Sequence, residues 1–410
     1  MRVCFGLFHY DAVDAGLQPA QYLSRRLPLR HLPQELASRG HEVMVVQQSP
    51  SHGGFVENQV EYRLVRSPRW SRAIAAMAGA ALRREPPRLE AATSAVRTIR
   101  RFRPDVVHYF GTTLTLNLAL VELTLGRGGP PIVVSYHGGW PPANPLLRRI
   151  QGATLDRASR LLFTARELAR PFIEAGFLAA GDPRIAEVME VSTPFEMRDR
   201  AAARAVTEMS GDPVFVWAGR LDPVKDPLTA LRGFDRIRTA WTGAQLYLYY
   251  LTDQLLPELR AFVASRPGLA DHLHFRGRVD HDQMEAVFSS ADLLLQSSRS
   301  VIPGRMVEYS GFVPLEAMAC GVVPVLTDLP SFRAMTADGR YGVLFEAGDD
   351  AGLAREVLRL DAEKLSALRA EVRAHFEREL SFRALADRLE AVYQASIGSR
   401  STAAHGPGSS

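Results

Sequence analysis

The feature that most limits how this chain can fold is an alternation, kept from end to end, between short β-rich runs and helical patterns. "RVCFGLF", "HEVMVVQ", "DVVHYF" and "PIVVSYHG" read as buried strands in the first half. "PVFVWAG", "QLYLYYL", "HLHFRG", "DLLLQSS" and "VVPVLTD" do so in the second. Helical segments lie between them, as at 28–39, where Leu29, Leu32 and Leu36 share a face and Gly40 supplies the stop. Pro33 inside that segment predicts a kink or a later helix start. Strand–helix–strand alternation implies parallel sheets with helices on both faces. Two such series in 410 residues fit two doubly wound α/β domains.

The least patterned connector is "EVSTPFEMRDRAAARAVTEMSGDP", which puts a hinge around 196–212. The expected domains are therefore 1–195 and 196–380, followed by a helix over 381–397 that packs back toward the first domain. Residues 398–410 have a linker composition and are expected to be disordered.

Bulk properties narrow the class further. Cys4 and Cys320 are the only cysteines, which fits a reducing compartment and offers neither a disulfide framework nor a metal cluster. "MRVCFGLF" lacks the pattern of a signal peptide, and no apolar run approaches the roughly 20 residues that span a bilayer. "LTLNLALVELTLG" is interrupted by Asn117 and Glu122 and reads as a buried helix. A cytoplasmic protein that binds no nucleic acid is expected.

Charge is uneven: residues 1–195 carry 24 arginines against 16 acids, although the whole chain has a net charge of only +4. Such a half attracts acidic substrates or an anionic membrane face, which makes peripheral membrane contact a further expectation. "RWSRAIAAMAGAALRRE", at 69–85, is the segment that would make it. Its apolar residues are mostly alanine, so a helix packed on the domain surface is the favoured reading.

Neither G-x-G-x-x-G nor G-x-x-x-x-G-K-[ST] occurs, which weighs against dehydrogenases and P-loop enzymes. In open α/β sheets ligands lie beyond the carboxyl ends of the strands, so the loops there should hold the chemistry. "WAGRLDPVKDP" follows a strand and sets Arg220 and Lys225 five residues apart, two cations suited to a diphosphate. Lys225 and Lys364 are the only lysines in an arginine-rich chain, so a lysine kept at 225 is informative.

In "GFVPLEAMACG" a loop leads through Pro314 into a short helix closed by Gly321. The amides of Gly311, Phe312 and Val313 would then face a phosphate at the positive end of the helix. Glu316 would lie in the first turn, where an acid is favoured for structural reasons alone. "VDHDQM" contains Asp280-His281-Asp282, a D-x-D resembling a metal site, but Asp280 and Gln283 also form a helix-capping box. The box is the preferred reading, and no metal is expected.

In order along the chain, "GRLDPVKD", "FRGRV", "ADLLLQSS", the pair Glu308 and Glu316, "PLEAMACG" and "PVLTD" resemble the C-terminal domain of the family-4 retaining glycosyltransferases. That family has the GT-B architecture, two Rossmann-like doubly wound domains facing across a cleft. The resemblance is close over 212–360 and looser before it, through "RGHEV", "RPDVVH" and "SYHGG". It implies a hexosyltransferase that uses a nucleoside diphosphate sugar as donor, a hydroxyl on a sugar, lipid or small molecule as acceptor, and no cofactor.

It also implies roles. Arg220 and Lys225 would neutralise the donor diphosphate, Glu308 would face the transferred sugar, and Glu316 would bind the ribose. Backbone groups at Arg278 and Val279 would meet the base, and His137 would reach the donor sugar from the opposing domain. Where many members carry a glycine pair in the first loop, "DAVDAGLQPAQ" offers Gly16 alone. After "TD" the chain continues "LPSFR" rather than with a glycine-rich turn, and "SSRSVIPGRM" before Glu308 is longer and more basic than usual. Donor identity therefore does not carry over. The alternatives are a nucleotide-sugar 2-epimerase on the same fold and a catalytically silent nucleotide-sugar binding protein.

Overall fold

A computed structural model describes residues 1–8, 21, 27–82, 90–113, 115–126, 128–299, 301–302, 305–306 and 311–404. The chain forms two compact units, Met1–Val191 together with the residues from Leu385 onward, and Ser192–Ala384.

The first unit is built on strands β1 (Arg2–Leu7), β2 (Glu42–Gln48), β3 (Gly53–Glu57), β4 (Val60–Val65), β5 (Val106–Phe110), β6 (Ile132–Ser135), β7 (Arg160–Phe163) and β8 (Ile185–Glu187). Their order in the sheet is β3-β4-β2-β1-β5-β6-β7-β8. All pairs are parallel except the hairpin β3–β4. Central strands β1 and β5 are buried along almost their whole length, as expected for a parallel sheet covered on both faces. Val3 pairs with Val43 on one side and Val106 on the other.

Helix Leu27–Ser38 buries Leu29, Leu32 and Leu36 and runs through Pro33 as one element, rather than starting after it. Helix Thr115–Leu125 differs from its expected burial: Leu116 and Leu123 are exposed. The face it buries carries Leu118, Val121 and Glu122 together with Asn117, whose amide bonds the Ala92 N–H and the carbonyls of Phe8 and Glu90.

The terminal helix Phe382–Ala404 joins the first unit from Leu385 onward, and it extends past residue 397, where the sequence pattern fades. Burial holds the His108 imidazole on β5 far below its ordinary pKa, at about 3, so the ring is neutral, and its Nδ1 is hydrogen-bonded with Tyr393 Oη at 2.6 Å. Arg39 pairs with Asp387 at 2.6 Å, and His41 Nε2 lies 2.8 Å from Glu390.

The second unit holds β9 (Val214–Gly219), β10 (Gln245–Tyr250), β11 (Leu273–Gly277), β12 (Leu293–Gln296), the two-residue strands β13 (Val301–Ile302) and β14 (Arg305–Met306), β15 (Val323–Thr327) and β16 (Val343–Phe345). The main sheet is parallel in the order β11-β10-β9-β12-β15-β16. Part of the expected connector is itself helical: Arg200–Thr207 starts from Asp199, whose carboxylate caps the Ala202 amide at 2.8 Å.

One buried carboxylate fixes the middle of this sheet. Asp292, just before β12, is 4% exposed. It accepts the Val214 amide of β9 at 2.9 Å, and the guanidinium groups of Arg200 at 2.5 Å, Arg204 at 3.4 Å and Arg369 at 2.9 Å. Those arginines come from helices Arg200–Thr207 and Ala362–His375, so a single side chain ties two helices to the strand pair β9–β12. Removing it would leave three partly buried cations without their shared counter-ion. Asp292→Ala is expected to cost about 3 kcal/mol of stability in chemical denaturation, and a loss below about 1 kcal/mol would show the hub to be dispensable.

Candidate functional site

Strand order in the second sheet reverses at β9: the chain goes from β9 to β10 on one side and later adds β12 on the other. Loops leaving adjacent strands at such a point diverge and open a crevice at their carboxyl ends. The loop after β9 is tightly braced. Asp222 accepts the Lys225 amide at 3.0 Å and pairs with Arg220 Nε at 2.9 Å. Asp226 takes a left-handed φ of 42°, offers its carbonyl to Ser297 Oγ at 2.6 Å and its carboxylate to Arg299 Nε at 2.6 Å. The Arg299 amide in turn donates to the Val224 carbonyl at 2.8 Å, so the loops after β9 and β12 are stitched together.

Lys225 comes out of this bracing with no ion pair among the described residues. Burial, then the neighbouring Arg220, holds its ammonium below the usual lysine value, with Asp222 opposing. Its head lies against Gly311, where an added Cβ would sit 3.9 Å from Nζ. Gly311 is the N-cap of helix Phe312–Ala319 and has φ 60°, a conformation that favours glycine. No side chain among the described residues caps this helix, so the Phe312 and Val313 amides are open to an anion beside the ammonium.

The helix starts at Phe312, ahead of Pro314, so Glu316 belongs to its second turn and not its first. A helix-end preference for acids therefore does not account for it. Glu316 is 4% exposed, and its Oε1 lies 2.7 Å from His281 Nε2. Both line a pocket of about 240 Å³ with Gly219 from β9, Tyr250 from β10, Val313, and Arg278 and Val279 just past β11. The hydrogen bond to Glu316 raises the His281 pKa above its ordinary value.

Among the residues singled out in the sequence, Arg220, Lys225, Gly311, Phe312, Val313, Glu316, Arg278 and Val279 thus gather on the second unit around β9 and helix Phe312–Ala319. His137 belongs to the first unit, just after β6. Its Nδ1 lies 2.5 Å from Glu190, its Nε2 lies 2.8 Å from Ser135 Oγ, and Phe110 stacks on the ring at 4.7 Å. Glu308 and Gly16 lie outside the described residues. The sequence reading passed over His281, which it treated as the filling of a capping box. The box is present, with Asp280 and Gln283 bonded reciprocally, yet His281 between them faces the pocket. Asp222, Asp226 and Arg299, which brace the cationic loop, were also missed, although both aspartates stand inside the quoted "GRLDPVKD".

Two parallel α/β units of this topology, the second with an anion-ready crevice at its switch point, define a protein of the GT-B class. Solved structures agree on the fold. A sucrose-phosphate synthase from Thermosynechococcus elongatus superposes with a TM-score of 0.67 at 17% identity, over 97% of this chain and 99% of that one. Anabaena HepE, solved in complex with UDP and glucose, gives 0.64 at 14% identity, over 96% and 99%. The profile described as "Glycosyltransferase Family 4" matches residues 29–183, and "Glycosyl transferases group 1" matches 212–363. The chain belongs to the family-4 glycosyltransferases.

Among curated relatives, a D-inositol 3-phosphate glycosyltransferase from Segniliparus rotundus is 31% identical over 57% of this chain, a match that spans only 52% of the relative's length. A GDP-mannose-dependent monoacylated alpha-(1-6)-phosphatidylinositol monomannoside mannosyltransferase from Corynebacterium glutamicum is 26% identical, over 70% of this chain and 75% of its own.

Lys225→Ala removes a half-buried ammonium that has no ion pair among the described residues, and a charge-assisted contact of this kind is worth about 1.5–3 kcal/mol. The variant is expected to bind a nucleoside diphosphate at least about tenfold more weakly by titration calorimetry. Unchanged affinity would remove Lys225 from the site.

Proposed function

We propose that this chain is a retaining, metal-independent hexosyltransferase that moves sugar from a nucleoside diphosphate donor to a hydroxyl acceptor. The observation that carries the reading is the half-buried Lys225 ammonium, which has no ion pair among the described residues and lies beside the terminus of helix Phe312–Ala319. A diphosphate completes that arrangement. As the sugar–phosphate bond breaks, negative charge grows on the leaving diphosphate. Lys225, Arg220 and the Phe312 and Val313 amides are already aimed where it grows, and each such donor is worth about 3–4 kcal/mol if lost. These fixed charges take the part that a divalent cation plays elsewhere.

Glu316 holds the ribose, backbone at Arg278 and Val279 meets the base, and Glu308, by resemblance, holds the transferred sugar. In the same-face route that the resemblance favours, the departing phosphate receives the acceptor's proton. The names of the two curated relatives point to inositol phosphate and phosphatidylinositol mannoside chemistry for those proteins, and we extend the class to this chain as a polyol acceptor of inositol-phosphate type.

Thermal stability in the presence of UDP-, GDP-, ADP- and TDP-sugars with EDTA tests the donor half of this. A donor at 100 times its dissociation constant adds about 2.7 kcal/mol, a shift of several degrees. One nucleotide family is expected to raise the melting temperature; no shift with any of them overturns the reading.

An acceptor carrying acyl chains would be met at a membrane surface. Helix Arg69–Leu82 buries Ser71 and Ala75 but exposes Trp70 at 55%, Ile74 at 55% and Met77 at 68%, one face at helical spacing, with Arg66 and Arg69 exposed beside it. A face of that kind suits the interface of an anionic bilayer. Co-sedimentation with phosphatidylglycerol-containing vesicles, but not with pure phosphatidylcholine, is expected, and it should fall at least about fivefold in a Trp70→Ser/Ile74→Ser/Met77→Ser variant. Equal recovery of wild type and variant would sink the membrane role.

A further inference from the structure

Glu316 has two carboxylate oxygens, and His281 occupies one. His281 Nε2 meets Oε1 at 2.7 Å, and no partner for Oε2 stands among the described residues. The carboxylate itself is buried, whereas the His281 side chain is about half exposed and borders the same pocket. The imidazole is held from two further directions. Its turn is closed by the reciprocal Asp280–Gln283 box, and its ring packs on Phe195 at a centroid distance of 5.0 Å.

The other charged groups nearby are accounted for. Asp280 is spent on the box, and Asp282 on the same turn adds a weaker negative field. Glu285, on helix Met284–Ser290, accepts the Glu196 amide at 2.8 Å and Arg198 Nε at 2.6 Å, so it is turned to the segment before helix Arg200–Thr207. Arg278, just past β11, lines the pocket and brings a positive charge to the same wall. Glu316 is therefore the group that His281 serves.

We infer that His281 is a positioning residue for the donor nucleoside: it pins Oε1 so that Oε2 meets the ribose hydroxyls, and its positive charge makes donor binding tighter in acid than in alkali. This rests on the nucleotide-sugar reading given above. The two halves of the inference separate by chemistry. A neutral imidazole with its proton on Nε2 still donates to Oε1, so the aim of the carboxylate survives deprotonation. The charge does not.

The hydrogen bond to Glu316, the largest cause, followed in opposition by burial, leaves the folded-state pKa above the ordinary histidine value. The imidazolium is therefore fully present below that ordinary value and is lost as pH rises through the higher folded one. Each loss takes a positive charge from a pocket whose ligand is a polyanion, so affinity falls with rising pH across that window.

The test is calorimetric titration of UDP-glucose and GDP-mannose from about pH 5.5 to about 8.5, a range in which histidine changes charge. The diphosphate diester of these donors does not titrate there, unlike a free nucleoside diphosphate. Wild type should bind its donor about three- to tenfold more weakly at the alkaline end. His281→Gln, which keeps a donor for Oε1 but cannot be charged, should hold roughly the wild-type alkaline affinity and lose the slope. His281→Ala should bind about tenfold more weakly than His281→Gln at every pH.

In a Glu316→Ala background at about pH 8.5, where the imidazole is neutral and only positioning is left, removing His281 should change nothing further, because positioning runs through the carboxylate. A wild-type profile no steeper than that of His281→Gln overturns the charge half. A His281→Ala loss that persists undiminished without Glu316 overturns the positioning half. Failure of wild type to bind these donors or the ADP- and TDP-sugars at any pH overturns the nucleotide-sugar reading itself, and this inference with it.

Discussion

The Asp292 carboxylate is the fixed point on which the second unit is built. It sits at the amino end of β12 and binds the first amide of β9, so it sets the spacing of the two strands between which the sheet reverses direction. The three arginines that reach it bring in helices Arg200–Thr207 and Ala362–His375. The cationic loop lies at the other end of the same strand pair, one six-residue strand or roughly 20 Å away. Charge is treated in opposite ways at the two ends. At the amino end a carboxylate is saturated by more cations than it needs, which makes a rigid anchor. At the carboxyl end Lys225 is braced through its backbone while its ammonium has no ion pair among the described residues, the arrangement that the proposed diphosphate would complete.

Sequence and structure agree where burial is two-sided. Strands such as β1, β5, β9 and β12 are apolar on both faces, so each reads as a continuous apolar run that a helix-and-strand alternation picks out. The hairpin β3–β4 escaped because β3 is an edge strand whose residues alternate between exposed and half-buried, leaving Val56 open to solvent. β8 escaped because three residues give too little pattern. In the helices, what a linear reading misplaced was the start of Phe312–Ala319. Pro314 looked like the first turn, but Gly311 with its positive φ ends the loop and begins the helix earlier. That small shift turns Glu316 from a helix-end acid into a buried pocket acid.

Site residues were legible when their chemistry stood out against the composition, as with Lys225 in a chain that otherwise uses arginine. They were hidden when one segment does two jobs. Asp280 and Gln283 explain "VDHDQM" so completely as a cap that the histidine between them drew no separate question. Partners distant in sequence were equally out of reach. "SYHGG" marks His137, but nothing in it indicates that Glu190, 53 residues on, would bind the ring.

His137 and Glu316 share a property that sets them apart from Lys225. Nδ1 of His137 lies 2.5 Å from Glu190 and its Nε2 lies 2.8 Å from the Ser135 hydroxyl, so both ring nitrogens have an internal partner. Glu316 likewise has one oxygen taken by His281. Hydrogen bonds of such groups to hydroxyls exchange with water or with one another at little net cost. An internal partner can therefore hold such a group in its working rotamer before the ligand arrives without greatly opposing it. A cation awaiting a diphosphate is different, because a pre-formed ion pair would have to be broken and the displaced carboxylate left buried or moved. Leaving Lys225 open while keeping Glu316 and His137 partnered is the arrangement that meets both conditions in one chain.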